Sequence, residues 1–182
     1  IDKIFINTHY LHEKIDQHIQ NHKYKNRIEI FYEKKILGTA KSVLEIYNKN
    51  KTDLLIAHSD NYFEDNLSNL IKSFNSRPKN SLATLMSFRV KDPINYGIFE
   101  FNKDHILKKF YEKQDVKIYD ANAAVYIFSK KLFDTNLILK SDTDLSKDVI
   151  PRLIHKSNIY FSKKKFVDIG VIERLKLLIW LF

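Results

Sequence analysis

Four consecutive apolar residues, Leu54 to Ala57, run straight into His58-Ser-Asp-Asn61. A short apolar run bounded by polar residues reads as a strand buried on both faces, inside an α/β sheet. A carboxylate just past its carboxyl end, here Asp60, stands where open α/β sheets bind ligands. The rest of the chain is read as what surrounds Asp60.

The segments on either side fit that frame. Asp2 to Asn7 reads as a short strand. His12 to His22 places Ile15 and Ile19 four residues apart, which predicts an amphipathic helix. Arg27 to Tyr32 reads as a second strand, and strand, helix, strand is the repeating unit of α/β folds. Thr39 is expected to cap a helix running to about Tyr47, with Val43, Leu44 and Tyr47 on one face. A helix follows near Asn66 to Phe74, then a strand from Leu82 to Phe88. Residues 98 to 101 and 106 to 111 form a hairpin around the polar turn 102 to 105. Ala121 to Phe128 is strand-like, and Lys130 to Asp134 is a short helix. Asp144 opens another helix, and Asn158 to Ser162 and Phe166 to Gly170 are short strands. Ile172 to Phe182 is a closing helix, apolar on nearly all sides and therefore expected to pack on something. No repeat, low-complexity tract or linker divides the chain, so residues 1–182 are expected to form one domain.

Composition excludes several classes. The 182 residues are 44% hydrophobic and 13% aromatic, which describes a globular chain with a core. No apolar run approaches the roughly 18 to 20 residues of a membrane span, and there is no signal-peptide pattern. Cysteine is absent, which removes disulfides and thiolate metal sites and fits a cytoplasmic location. The net charge of +9 invites a nucleic-acid reading. The lysines are scattered among acids, however, and only Lys163-Lys-Lys165 is a tight run. No nucleic-acid or membrane partner is expected. The chain opens on Ile1, inside what reads as a strand, and the expectation is that an N-terminal segment is missing.

Three glycines are present, Gly38, Gly97 and Gly170, each beside a polar group suited to a ligand. Gly38 lies before the Thr39 helix start, where free amides favour phosphate or other polar ligands; a glycine there is more often an ordinary turn. Asp60 and Asp168 both follow short apolar strands and are the natural pair for magnesium, which takes oxygen ligands from one or two carboxylates plus substrate phosphates. An aspartate after a strand is more often a turn former or helix cap, and spacing alone does not show that the two meet. Glu112 and Lys113 are adjacent; a carboxylate accepts bonds from sugar hydroxyls and an ammonium neutralises phosphate, unless the two are a solvated pair at a strand end. Asn122, among apolar residues, is either a satisfied structural amide or a ligand contact. His58 has no second histidine at ligand spacing, and His58, Ser59 and Asp60 do not make a hydrolytic triad.

The succession Tyr32-Glu-Lys-Lys-Ile-Leu-Gly-Thr-Ala40, Leu55-Ile-Ala-His-Ser-Asp60, Asn95-Tyr-Gly-Ile-Phe-Glu-Phe101, Phe110-Tyr-Glu-Lys113, Asn122-Ala-Ala-Val-Tyr-Ile-Phe128 and Phe166-Val-Asp-Ile-Gly170 resembles the sugar-1-phosphate nucleotidyltransferases. The likeness is to the mannose-1-phosphate guanylyltransferase-like members and related heptose and hexose enzymes. The resemblance implies a Rossmann-like three-layer α/β/α sandwich with a mixed, mostly parallel sheet, here lacking the first strand and the glycine-rich loop and so carrying a gap in its core. It implies joining of a nucleoside triphosphate, GTP being favoured, to a sugar 1-phosphate with release of pyrophosphate, for cell-surface polysaccharide synthesis. Asp60 and Asp168 would hold Mg2+. Glu33, Gly38 and Thr39 would lie against the nucleotide. Tyr96, Gly97, Glu112 and Asn122 would line the sugar pocket, with Lys113 on the sugar phosphate. Asp60, Asp168 and Lys113 would be the catalytic groups.

The sequence departs from the family pattern in three places. It has His-Ser-Asp60 where many members have Asn-Gly-Asp, Ala123-Ala124 for Ala-Gly, and Val171 where Thr is common. The family's catalytic arginine and lysine belong before Ile1, so the 182 residues alone are expected to be inactive. The rival expectation is a catalytically silent regulatory or partner subunit of the same fold. Homo-oligomerisation is compatible with either.

Overall fold

The computed structural model describes residues 1–179. Its strands are β1 (Ile4–Thr8), β2 (Ile28–Tyr32), β3 (Leu54–Ala57), β4 (Asn61–Phe63), β5 (Ala83–Arg89), β6 (Gly97–Phe101), β7 (Leu107–Glu112), β8 (Asp120–Phe128), β9 (Ser157–Ser162) and β10 (Phe166–Asp168). The helices are α1 (His12–Gln20), α2 (Thr39–Asn50), α3 (Leu67–Asn75), α4 (Lys130–Phe133) and α5 (Ile172–Ile179). A wider π-type turn, Leu145–Val149, runs into a 3₁₀ turn, Ile150–Leu153.

The nine-residue β8 organises the main sheet, whose order is β7-β6-β8-β5-β9. One edge of β8 pairs with β5. The other pairs first with β6 at Ala121 and then with β3 along Val125–Phe128. Side chains alternate across the sheet. Leu85, Tyr126 and Phe128 pack with Ala40, Val43, Leu132, Val149 and Leu153 on one face. Met86, Val125 and Ile127 pack with Leu70 and Phe74 of α3 on the other. The result is a mixed α/β fold with helices on both faces, the class expected from the resemblance.

Two details of that expectation are corrected. The main sheet is mixed, but its pairs are mostly antiparallel, β3–β8, β5–β8, β6–β7 and β6–β8 against parallel β5–β9, and two further two-stranded sheets stand apart from it, parallel β1–β2 and antiparallel β4–β10. The strand–helix–strand unit at the start is parallel, as such units must be. Beyond β5 the chain turns back through the β6–β7 hairpin and enters β8 against both of its neighbours. The hairpin itself forms as expected, with Asn102 Oδ1 accepting from the Asp104 and Ile106 amides. Second, the strands buried on both faces are β5 and the second half of β8; Leu54 to Ala57 is only half-buried, and Ala57 is exposed.

The cause is a cleft. Among the described residues β1 pairs only with β2, and β3 pairs only with β8, so each leaves one edge unpaired. These edges face an elongated space of about 1220 Å³ lined by Ile4, Phe5, Ile6, Leu54, Leu55 and Ile56. Asn7, Thr39, Ser42, His58 and Asp60 stand along the same cleft.

Two helix expectations also change. Gly38, not Thr39, is the residue before α2, and Thr39 Oγ1 accepts from the Leu145 amide 2.9 Å away instead of capping the helix. In α5, Leu178 is buried while Ile172, Leu175 and Ile179 face solvent. The last three residues of the predicted helix lie outside the described residues.

Candidate functional site

The β8 backbone positions the loop that carries Asp60. The His58 amide donates to the Ala124 carbonyl at 3.2 Å, and Asn61 Nδ2 donates to the Ala123 carbonyl at 2.8 Å. Just beyond, β4 and β10 pair antiparallel with Asn61 opposite Asp168. The Ile169 amide donates to the Asp60 carbonyl at 2.7 Å. These bonds bring Asp60 and Asp168, 108 positions apart in sequence, to the same place. A Cβ added to Gly170 would stand 3.0 Å from Asp60 Oδ2 and 3.1 Å from Asp168 Oδ1. The two carboxylates therefore converge over the same face of Gly170. Asp168 Oδ1 accepts from the Gly170 amide at 2.9 Å, and Oδ2 accepts from Arg174 Nη1 at 2.7 Å. Among the described residues no group of three or more His, Cys, Asp or Glu side chains could hold a metal. Two carboxylate oxygens over an exposed glycine fit a hard cation that keeps water or phosphate as its other ligands.

A second group forms where β6, β7 and β8 meet. Gly97 is registered opposite Glu112, and a Cβ there would lie 2.9 Å from Glu112 Oε2 and 2.7 Å from the Phe110 ring. The Lys113 amide donates to the Tyr96 carbonyl at 3.1 Å, and Lys113 takes a left-handed φ of 50°, which turns the chain after Glu112. Burial pushes the Glu112 carboxyl above its ordinary range; Asp144 pushes the same way, while Lys113 and Lys147 oppose it.

Asn122 resolves toward a bonded amide. Its Nδ2 donates to the Tyr126 hydroxyl at 2.8 Å and reaches Ser146 Oγ at 3.5 Å. Its Oδ1 accepts from the Ala124 amide, where β8 bulges at φ 50°. The side chain remains half-buried, at the rim of the group. Burial pushes the Tyr126 phenol up to about 12, with Glu112 and Asp144 adding to it.

The third expected group is spent within the protein. Glu33 is 5% exposed. Its Oε1 accepts from Asn7 Nδ2 at 3.0 Å and from the Ser42 hydroxyl, and its Oε2 from the Leu37 amide at 2.9 Å. It braces the loop before α2 rather than presenting an oxygen to solvent. Gly38 has φ 90°, and a Cβ there would run into the Thr143 carbonyl. The close approach expected at this glycine is thus to Thr143 of the same chain. Thr39 does line the cleft that Asp60 also lines.

Sequence reasoning missed Asp144, Ser146 and Lys147. Asp144 accepts from the Lys147 amide and opens the Leu145–Val149 turn, which sets Ser146 beside Asn122. The helix-start pattern at Asp144 was legible. What it faces depends on a contact with Thr39, 106 positions away.

This fold, with paired carboxylates at a strand end and a polar group on the neighbouring strands, is that of the nucleotidyl transferases. The chain belongs to that family, whose model, described as nucleotidyl transferase, matches residues 1–177. Among curated relatives it is similar to the bifunctional protein GlmU of Methanococcus aeolicus, 29% identical over 87% of this chain and 38% of the relative. It is also similar to the mannose-1-phosphate guanylyltransferase catalytic subunit beta of Drosophila pseudoobscura pseudoobscura, 22% identical over 87% of this chain and 43% of the relative. The chain thus spans about two fifths of the length of these relatives. Among solved structures, HddC from Yersinia pseudotuberculosis matches with a TM-score of 0.80 at 20% identity, over 97% of this chain and 77% of that one. A second HddC structure, complexed with GMP-PN, matches with a TM-score of 0.79 at the same identity and coverage. The fold is shared with both.

No helix among the described residues is long and apolar enough to cross a membrane.

Proposed function

We propose that the protein to which these residues belong transfers a nucleotidyl group from a nucleoside triphosphate to a sugar 1-phosphate in the cytoplasm, supplying nucleotide sugars for cell-surface polysaccharide. The observation that carries this reading is the convergence of Asp60 and Asp168 over Gly170, with the adjoining Asn61 bonded to the Ala123 carbonyl next to Asn122 on β8, in a chain of this family. An oxygen of the sugar phosphate attacks the α-phosphorus in line. The bond from the α-phosphorus to the oxygen bridging it to the β-phosphorus breaks, and pyrophosphate leaves. The work is mostly positioning and charge neutralisation.

Asp60 and Asp168 would hold Mg2+, which when bound neutralises phosphate charge. Glu112 and Asn122 contact sugar hydroxyls beside Tyr96 and Gly97, and Lys113 lies on the sugar phosphate. Thr39 and the Gly38 turn border the nucleotide, with Glu33 bracing that turn. GTP is the favoured triphosphate.

Residues 1–182 alone are proposed to be inactive. A triphosphate needs cationic groups around it. Among the described residues that line the cleft, the only lysine or arginine is Lys3, and it pairs with Glu29 at 2.5 Å. The cleft between β1 and β3 has the unpaired edges to accept one further strand, and that strand is where the missing groups are expected.

Pyrophosphate release is measured with GTP, UTP, CTP and dTTP against a panel of sugar 1-phosphates. The 182-residue chain should give none above background, and robust turnover would overturn the inactivity claim. A longer form carrying the additional strand should turn over with one pair. Failure of that form with every pair would sink the transferase reading.

A further inference from the structure

The two oxygens of Asp168 have different neighbours. Oδ1 faces the Gly170 amide and the space it shares with Asp60 Oδ2. Oδ2 is held by Arg174 at 2.7 Å, with the two side chains about equally exposed at 40% and 37%. Arg174 reaches it because α5 begins two residues after Gly170, at Ile172. The Val171 carbonyl accepts from both the Arg174 and the Leu175 amides at 3.1 Å, which closes the first turn and folds Arg174 back over Asp168.

We infer that Arg174 is a built-in counter-ion that sets the divalent-cation affinity of the Asp60–Asp168 pair. The inference rests on the metal-holding role proposed for the two aspartates. Two carboxylates around one point repel each other. Arg174 relieves that repulsion while no cation is present and turns the carboxylate so that Oδ1 points toward Asp60. The same guanidinium repels an arriving cation, which meets a net charge of about −1 from these three groups rather than −2. A free cation is therefore bound weakly. A cation that arrives already carried by a triphosphate brings its own negative charge and suffers less from Arg174. The arginine thus makes the site selective for the metal–nucleotide complex over the bare metal. It is a positioning residue, acting through Asp168.

The test is Mn2+ titration of the 182-residue chain, read by paramagnetic broadening of the Ile169 and Gly170 amide signals. Arg174→Gln should tighten Mn2+ binding about tenfold, the scale expected for one unit charge roughly 6 Å from a divalent ion in water. Arg174→Lys keeps the charge and should stay within about twofold of the parent chain. The gap between parent and Arg174→Gln should narrow as salt is added. Unchanged or weaker binding by Arg174→Gln, in a chain whose binding Asp168→Asn abolishes, overturns the counter-ion role and leaves the metal reading standing. If Asp60→Asn and Asp168→Asn both leave binding unchanged, the carboxylate pair is not the metal site and both readings fall.

Discussion

The two ends of the candidate site are built in opposite ways. At the end proposed for the sugar, Gly97, Glu112 and Asn122 stand on strands of five to nine residues inside the main sheet. Their side chains are half-buried or tightly neighboured, and Glu112 is displaced in its ionisation by burial. At the end proposed for the metal, Asp60 and Asp168 stand on or beside strands of three residues, outside that sheet. Asp60 is exposed, and Asp168 leans on a half-buried arginine. Neutral hydroxyls are told apart only by donors and acceptors held in place, which requires a rigid, partly dry support. A hard cation organises its own ligands and tolerates a wetter one. Stability and function should therefore be coupled at the sugar end and separable at the metal end.

The largest effect expected is at Asp60. In a form that turns over, Asp60→Asn should lower pyrophosphate release by about a hundredfold or more. Its melting temperature should move by less than about 1 °C, since the site is on the surface. Loss of activity accompanied by loss of fold would break the proposed separation. Next is Gly97→Ala, whose Cβ must displace the Phe110 ring and Glu112; overpacking of this kind costs about 1–3 kcal/mol. Chemical denaturation measures it, and an unchanged midpoint would show that the sugar end is looser than described. The matched change, Gly170→Ala, should leave the denaturation midpoint nearly in place while weakening Mn2+ binding about tenfold, because a misplaced carboxylate loses the shared geometry. The pair of glycines is the sharpest comparison of the two ends.

The smallest effect is at Glu112. Burial makes its charged form costlier in the folded state, so its folded pKa lies above the ordinary value of 4.5. The stability gained from the protonated form is fully present below 4.5 and is lost as pH rises through the folded pKa. Glu112→Gln should therefore melt about 1–3 °C above the parent at pH 7, and this advantage should vanish as pH falls below about 4.5. An advantage that persists in acid would assign it to packing rather than to charge.

Local pattern carried much of this architecture. The α/β class, the β6–β7 hairpin and the positions of most strands follow from apolar periodicity and turn residues, which act over a few positions. The strand expected to be most buried, Leu54–Ala57, is half-open, because burial depends on which neighbours pair with it. Strand direction failed for the same reason. Within the candidate site, Asp60 and Asp168 were legible as strand-end carboxylates, and the structure adds their meeting point at Gly170. Glu33 entered only through the resemblance, and its burial under Asn7 and Ser42 was not legible. Arg174 was invisible, since only the first turn of α5 brings it back to Asp168.

Asn122 and the carbonyls of Ala123 and Ala124 follow one another on β8. The first belongs to the end proposed for the sugar, and the other two suspend the loop that carries Asp60. One strand therefore acts as a ruler between the two ends, graduated in steps of about 3.3 Å per residue. Single-residue insertions or deletions between Asn122 and Val125 would shift one end against the other by a whole step and turn Asn122 to the opposite face. Loops elsewhere can lengthen without disturbing that interval. Variation among proteins built this way should be free in the loops and frozen in the spacing of these three residues.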